Sequence, residues 1–336
     1  MVNEISVCLS QISFLSLKEK IILLKNLDSL DKLALMSIED ISQMVGRPVN
    51  PEFWNGKKAA ALAKRSMAII ERMKCNGVCV EEGSYPALLR EAGDSPLVLF
   101  YRGNIDVLGE QCVSVVGTRQ ICREAAEAAF EFARDAALDG VTVVSGLAYG
   151  TDAWAHKGAL AGHRHDCGEM CGAKTVAILP CGIDSITPPA HKVLVEHILA
   201  AGGCIASEYA PGTPAEPWRY VQRNRIIAAL SPATVVVEAP PGSGALITAD
   251  FAVDYNRDVY FHEAGFCESA KRIADGVLKK LCASNKNGAQ VKSKKKPERF
   301  LEEGAPVINN YADYVAARRE APGMHSCKKN GQLQLF

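Results

Sequence analysis

Apolar positions along this 336-residue chain first follow a helical period and then break into short strand-like runs. Leu15, Leu17, Ile21, Ile22 and Leu24 are followed by Leu33, Leu35 and Met36, then by an Ala- and Met-rich run over residues 58–73. This spacing puts apolar side chains on one face of successive helices and predicts a small helical domain over residues 1–83, broken once by Pro48 and Pro51. Residues 94–104 read as a strand entering the core. From Cys112 onward, strands are expected around Val113, Val141, Thr175, Cys204, Thr234 and Asp258, separated by helices that include residues 124–138, 245–255 and 268–282. Such alternation requires right-handed crossovers and a mostly parallel sheet, so residues 84–283 are predicted to form a doubly wound α/β domain. Residues 284–336 open with a Lys- and Asn-rich stretch containing Lys294-Lys295-Lys296, and its low apolar content predicts a flexible basic linker and tail.

Gly-centred turns sit between the strand-like runs and the helices. They read Gly117-Thr118-Arg119, Gly146-Leu147-Ala148-Tyr149-Gly150 and Pro240-Pro241-Gly242-Ser243-Gly244. Glycine lets backbone approach a ligand closely, and the free N–H groups of a following helix start favour an anion. In an open parallel sheet the ligand site lies beyond the carboxyl ends of the strands, so these turns are expected to converge on one crevice. Arg119, Arg223 and Arg225 would line it, the last two from Gln222-Arg223-Asn224-Arg225, which reads as a helix start. Guanidinium groups grip phosphate bidentately and stack on bases. Tyr149, Trp218 and Tyr220, with Arg219 among them, are candidate stacking partners. The competing reading of Arg223 and Arg225 is a structural ion pair with Glu238 or Asp250.

Composition narrows the setting. With 38 basic and 38 acidic residues the formal charge is zero, so any nucleic-acid binding must come from a local patch. The 12 cysteines lack a secretory context: residues 1–5 show no basic segment leading into an apolar core, and no uncharged span is long enough to cross a membrane. A cytoplasmic protein with reduced thiols and no membrane association is expected. His163, His165, Cys167 and Cys171 crowd into nine residues. Closed zinc sites usually draw on two separated ligand pairs, so these four are weak metal candidates and an unliganded loop is the reading adopted.

The turns, taken together and in order, resemble the DNA-processing protein A family, also called DprA or Smf. Its Val-Gly-Ser/Thr-Arg is Val116-Gly117-Thr118-Arg119, its Ser-Gly-Leu-Ala-x-Gly-x-Asp-x-x-Ala-His is residues 145–156, and its Cys-Gly-x-Asp is Cys181-Gly182-Ile183-Asp184. Ser-Glu-Tyr-x-Pro-Gly-Thr matches residues 207–213, Arg-Asn-Arg-Ile-Ile-Ala-x-Leu-Ser residues 223–231, and Gly-Ser-Gly-x-Leu-Ile-Thr-Ala residues 242–249. The resemblance implies an extended Rossmann-like domain over residues 84–283, in a protein without a catalytic reaction or cofactor that binds single-stranded DNA, forms a homodimer, protects incoming strands and helps load the RecA recombinase during natural transformation. It also implies that Gly117, Thr118, Arg119 and the Arg223-Asn224-Arg225 group meet the DNA backbone, with Gly242, Ser243 and Gly244 shaping the pocket floor. The chain departs from the family pattern at Tyr220-Val221, which stands for Phe-Pro, in residues 256–265, and in the extra histidine and cysteine insertion. Residues beyond 284 do not resemble the winged helix that some members carry.

Gln332-Leu333-Gln334-Leu335-Phe336 looks like the pentapeptide by which bacterial replication and repair proteins dock on the sliding clamp. Leu333, Leu335 and Phe336 would be its apolar side and Gln332 its polar contact, carried on a tether. The alternative of another class is a nucleotide-binding or nucleoside-monophosphate phosphoribohydrolase-like enzyme using the same crevice. Against it, the run over residues 241–248 has Thr248 where those enzymes place a catalytic carboxylate; Asp152, Glu208 and Glu238 are the carboxylates that could substitute in principle. Neither a Gly-x-Gly-x-x-Gly fingerprint after the first strand nor a P-loop occurs.

Overall fold

The computed structural model describes residues 2–162, 174–283 and 294–320. Five helices open the chain: α1 (Glu4–Ser10), α2 (Leu17–Asn26), α3 (Leu30–Leu35), α4 (Ile38–Val45) and α5 (Gly56–Met73). Each starts where a short polar side chain can take over an orphan N–H. Asn3, Ser16, Ser29, Ser37 and Asn55 all accept from the third residue of their helix, and Glu19 and Asp40 return the bond to complete capping boxes on α2 and α4. Leu9, Leu23, Leu33 and Ile41 are fully enclosed between these helices.

A nine-stranded sheet follows in the spatial order β1-β2-β6-β5-β4-β3-β7-β8-β9. Its strands are β1 (Asn76–Cys79), β2 (Val98–Gly103), β3 (Cys112–Val116), β4 (Thr142–Ser145), β5 (Thr175–Ile178), β6 (Cys204–Ser207), β7 (Ala233–Val236), β8 (Asp258–His262) and β9 (Val307–Ile308). The pairs β1–β2 and β2–β6 are antiparallel, and the remaining pairs are parallel. The helices between them are α6 (Ala87–Glu91), α7 (Arg123–Leu138), α8 (Thr151–Ala161), α9 (Lys192–Ala200), α10 (Pro217–Ala229), α11 (Gly244–Asp254), α12 (Glu268–Cys282), α13 (Pro297–Glu302) and α14 (Tyr311–Glu320). Central strands are buried along their whole length because helices cover both faces of the sheet. Within β3, Val113 and Val115 belong to the core under α7, α12 and α14, whereas Cys112 and Val116 belong to the opposite core, the two-residue period of a strand. Ala125, Ala129, Ala133 and Ala136 line the buried face of α7, small enough for α8 to come so close that a Cβ on Gly158 would strike the Phe130 carbonyl.

The predicted extended Rossmann-like α/β sheet behind a small helical region is present, and every expected strand from Val113 onward forms. Two boundaries differ. Residues 76–79 form an edge strand that Val78 anchors in the core, so the sheet begins inside the segment read as wholly helical. Residues 294–320, read as flexible linker, pack against the sheet. Phe300 lies 5.6 Å from the Phe261 ring, Ile308 pairs with His262, and Tyr311 and Tyr314 each meet Phe132 edge-on at 5.6 Å. The polar composition of this region hid a few large side chains that reach an apolar face supplied by distant residues. Residues 284–293 and the tail from residue 321 lie outside the described residues.

Tyr314 is 3% exposed and contacts Phe132, Tyr260 and Tyr311. Tyr314→Ala is therefore expected to lower unfolding free energy by about 3 kcal/mol in a urea titration; an unchanged midpoint would mean that this segment is not part of the fold.

Candidate nucleic-acid interface

The order of strand addition reverses between β3 and β7: the chain moves outward from β3 through β4, β5 and β6, then returns to pair β7 beside β3. At this switch point the two loops leaving the carboxyl ends diverge and open a crevice. Main-chain bonds hold its root. Val237 N–H donates to the Val116 carbonyl (3.0 Å), Thr118 N–H to the Glu238 carbonyl (2.7 Å), and Thr151 N–H to the Thr118 carbonyl (3.1 Å). Gly117 is required there, because a Cβ would collide with the Thr151 side chain and approach the Glu238 carbonyl to 2.9 Å.

The cleft encloses about 510 Å³. Gly117, Thr118 and Arg119 form one wall, Pro240 to Gly244 another, and Tyr220, Arg223 and Asn224 project from α10, while Asp152 lies at the base. Val277 and Leu281, one turn apart on α12, add an apolar flank that the sequence reading did not assign to the site. Their helical spacing was the available signal. Asn224 Nδ2 donates to the Gly244 carbonyl (3.2 Å) and ties α10 to the third turn. Arg119 lies over the Tyr220 ring at 5.1 Å, and the Tyr220 hydroxyl meets that of Thr187 at 2.9 Å. This cation–π seat holds the Arg119 guanidinium at the cleft wall.

Arg223 is only 3% exposed. It donates to the carbonyls of Gly146 (2.5 Å) and Ile178, and it faces the buried Asp152 carboxylate. Burial pushes the Asp152 carboxyl above the usual carboxylate range while the Arg223 charge opposes the shift; burial likewise lowers Arg223, with Asp152 opposing. Asp152 also accepts from Ala148 N–H (3.1 Å), and Gly146 must be glycine because a Cβ would come within 2.7 Å of that carboxylate.

Several expected site residues do not converge. The Gln222-Arg223-Asn224-Arg225 group lies mid-helix, because α10 starts earlier, at Pro217, where proline suits the first helical position. One helical turn carries Arg223 and Asn224 to the cleft and rotates Arg225 away from it. Arg225 is buried against Glu208, its Nη1 donates to the Asp94 carbonyl (2.8 Å), and its Nε lies 3.5 Å from the Asp94 carboxylate. The ion-pair alternative thus holds for Arg225 with partners other than Glu238 and Asp250. Arg219 is stacked between Tyr209 (5.2 Å) and Trp218 (4.8 Å) and donates to the Pro214 carbonyl, outside the cleft lining. Tyr149 packs edge-on against His191 and stays half exposed, as does Trp218. Gly146 and Gly150 brace the cleft from behind: Gly150 has φ +76° and presses against the Thr118 carbonyl. His163, His165, Cys167, Cys171 and residues 332–336 lie outside the described residues. Among the described residues, no helix is long and apolar enough to cross a membrane.

The family model for DNA recombination-mediator protein A matches residues 76–313, from the first strand of the sheet into α14. The chain belongs to this family. Curated relatives include Protein Smf of Borreliella burgdorferi (33% identical over 63% of this chain and 62% of that protein) and Protein Smf of Synechocystis (41%, over 54% and 44%). DNA processing protein DprA of Streptococcus pneumoniae is 36% identical over 56% of this chain and 64% of its own length. The chain thus matches less than two thirds of the length of each. Its structure is also similar to the X-ray structure of DprA from Streptococcus pneumoniae, with TM-score 0.66 and 26% identity over 94% of this chain and 98% of that one. DNA processing protein A from Helicobacter pylori, described for its single-stranded DNA binding mode, shares the fold at TM-score 0.55 and 22% identity over 74% of this chain and 96% of its own.

The two arginines at positions 119 and 225 should behave oppositely in unfolding experiments. Arg225→Ala leaves Glu208 buried without its partner and is expected to cost about 3 kcal/mol or more, whereas Arg119→Ala should change stability by less than about 1 kcal/mol. Equal costs would contradict the division of labour drawn above.

Proposed function

We propose that this chain binds single-stranded DNA through the cleft at the sheet's switch point, protects incoming strands and helps load the RecA recombinase, as a cytoplasmic homodimer with no catalytic reaction. The observation that carries the proposal is the pairing of Arg119, seated on Tyr220, with the Gly117–Thr118 and Gly242–Gly244 backbone in one open cleft. A guanidinium beside approachable backbone suits a phosphate, and an aromatic ring at the same wall suits a base. Membership of the family and the names of its relatives agree with this use. Gly117, Thr118, Arg119, Asn224, Gly242, Ser243 and Gly244 would touch the strand, Arg223 would set the field at the floor, and exposed Tyr149 and Trp218 would stack bases at the rim. Residues 332–336 would dock on a sliding clamp, independently of the cleft.

A second reading has one observation in its favour. Asp152 lies in the cleft with its carboxyl pushed upward by burial, as a general acid for a nucleotide glycosidic bond would need. Thr248 lines the cleft where the related hydrolases carry a carboxylate, so the second catalytic group is absent from that position.

Fluorescence-anisotropy titration with labelled oligo-dT and the matching duplex, at two salt concentrations, tests the binding reading. Salt-sensitive preference for the single strand is expected, and Arg119→Ala should weaken it across all sequences while reducing the log–log salt slope by about 0.7. No binding, together with free base released from nucleoside monophosphates, would instead establish the hydrolytic use. Removing residues 332–336 is expected to abolish clamp binding in a pull-down with purified clamp and to leave oligo-dT affinity unchanged; clamp binding that survives the truncation would refute the tail's role.

A further inference from the structure

Two helix N-termini meet beside the phosphate-facing turn, and both are capped by cysteine. Cys122 caps α7, its Sγ accepting from Ala125 N–H at 3.5 Å, and Cys267 caps α12, its Sγ accepting from Ala270 N–H at 3.4 Å. Their second helical residues also meet, with Ser269 Oγ donating to Glu124 Oε1 at 2.8 Å. Abutting N-termini bring together two positive dipole ends, an arrangement that favours anionic groups between them. The groups supplied are two thiols and a carboxylate.

We propose that Cys122, Cys267 and Glu124 form a zinc site, with the buried Glu238 carboxylate beside it. Both cysteines are free thiols, and their sulphurs are 3.7 Å apart. Two thiolates on a tetrahedral zinc, each at ~2.3 Å, stand about 3.8 Å from one another. One ligand atom from each of Cys122, Glu124 and Cys267 lies within 4.8 Å of the other two. Glu238 adds an independent observation: it is 2% exposed, its carboxylate lies against the Cys122 thiol, Oε2 accepts from Cys122 N–H at 2.9 Å, and Oε1 has no hydrogen-bond partner. A buried carboxylate whose Oε1 has no hydrogen-bond partner and whose side chain touches Cys122 adds negative charge that a neighbouring cation would offset. Glu124 is exposed and Cys267 partly so, which leaves the ion a path in from solvent.

The ion's position gives it a consequence for the cleft. Cys122 follows Arg119 by three residues, and Glu238 also holds Thr118 through its carbonyl. Cys267 begins the helix whose Val277 and Leu281 form the apolar flank. A metal between them would staple the Gly117–Arg119 turn to α12 and fix the width of the opening, whatever molecule enters it.

Cobalt(II) titration of the reduced, full-length protein tests the site, because thiolate ligation gives a charge-transfer band in the near ultraviolet. Cys122→Ser and Cys267→Ser retain a capping hydroxyl and should fold, which thermal melts check. Each should lose the band, while a variant replacing His163, His165, Cys167 and Cys171 together should keep it at one cobalt per chain. The proposal is overturned if both serine variants retain the signal, if the fourfold variant alone abolishes it, or if peptide mapping finds Cys122 disulfide-bonded to Cys267 in place of metal.

Discussion

The hydrogen bond from Thr118 N–H to the Glu238 carbonyl, continuing the β3–β7 pairing past the end of both strands, sets the geometry on which the cleft depends. Parallel strands that are neighbours in space but far apart in sequence send their loops to opposite sides, and a gap opens between them. Here one main-chain bond of 2.7 Å holds the loops together at the root, and Thr151, bonded to the Thr118 carbonyl, adds the start of α8. With three elements joined within one residue of Gly117, there is no room for a side chain at that position. The turn must be glycine because its neighbours already fill the space a Cβ would take.

Charge is distributed unequally around this root. Arg223 and Arg225 are two residues apart on one helix and equally withdrawn from water, yet Arg223 faces the cleft floor with Asp152 while Arg225 is neutralised by Glu208 and Asp94. A buried guanidinium is tolerable only with compensating carbonyls or carboxylates, and each of the two has its own set. Arg119 differs because its partner is an aromatic face, which leaves the N–H fork available. That availability separates Arg119 from Arg223 and Arg225, whose guanidinium groups are taken up by carbonyls and carboxylates.

Elements with strong period were legible in advance. Short apolar runs located six strands, two of which (β3 and β4) lead directly into glycine, and the Ala-rich segment after Arg119 located α7. The turns at Gly117 and Gly146 were legible because glycine directly after a strand has few other uses. Less legible were β1, β9 and α14, whose apolar residues are few and whose stability comes from partners such as Phe132 and Phe261 that lie far away in sequence. The tight Arg-Asn-Arg spacing suggested a shared role, but a helix rotates by about 100° per residue, so neighbours two apart cannot face the same ligand.

Local patterning alone determined the order of strands and helices, the glycine turns and the set of arginines near them, because each of these follows from short-range sterics and hydrophobic period. Only the tertiary structure decided which arginine faces the cleft, that α12 flanks it, and that Cys122 and Cys267 meet beside it. Those facts depend on which strand lies next to which, and that order is set by long-range pairing and two-sided burial rather than by any residue's immediate neighbours.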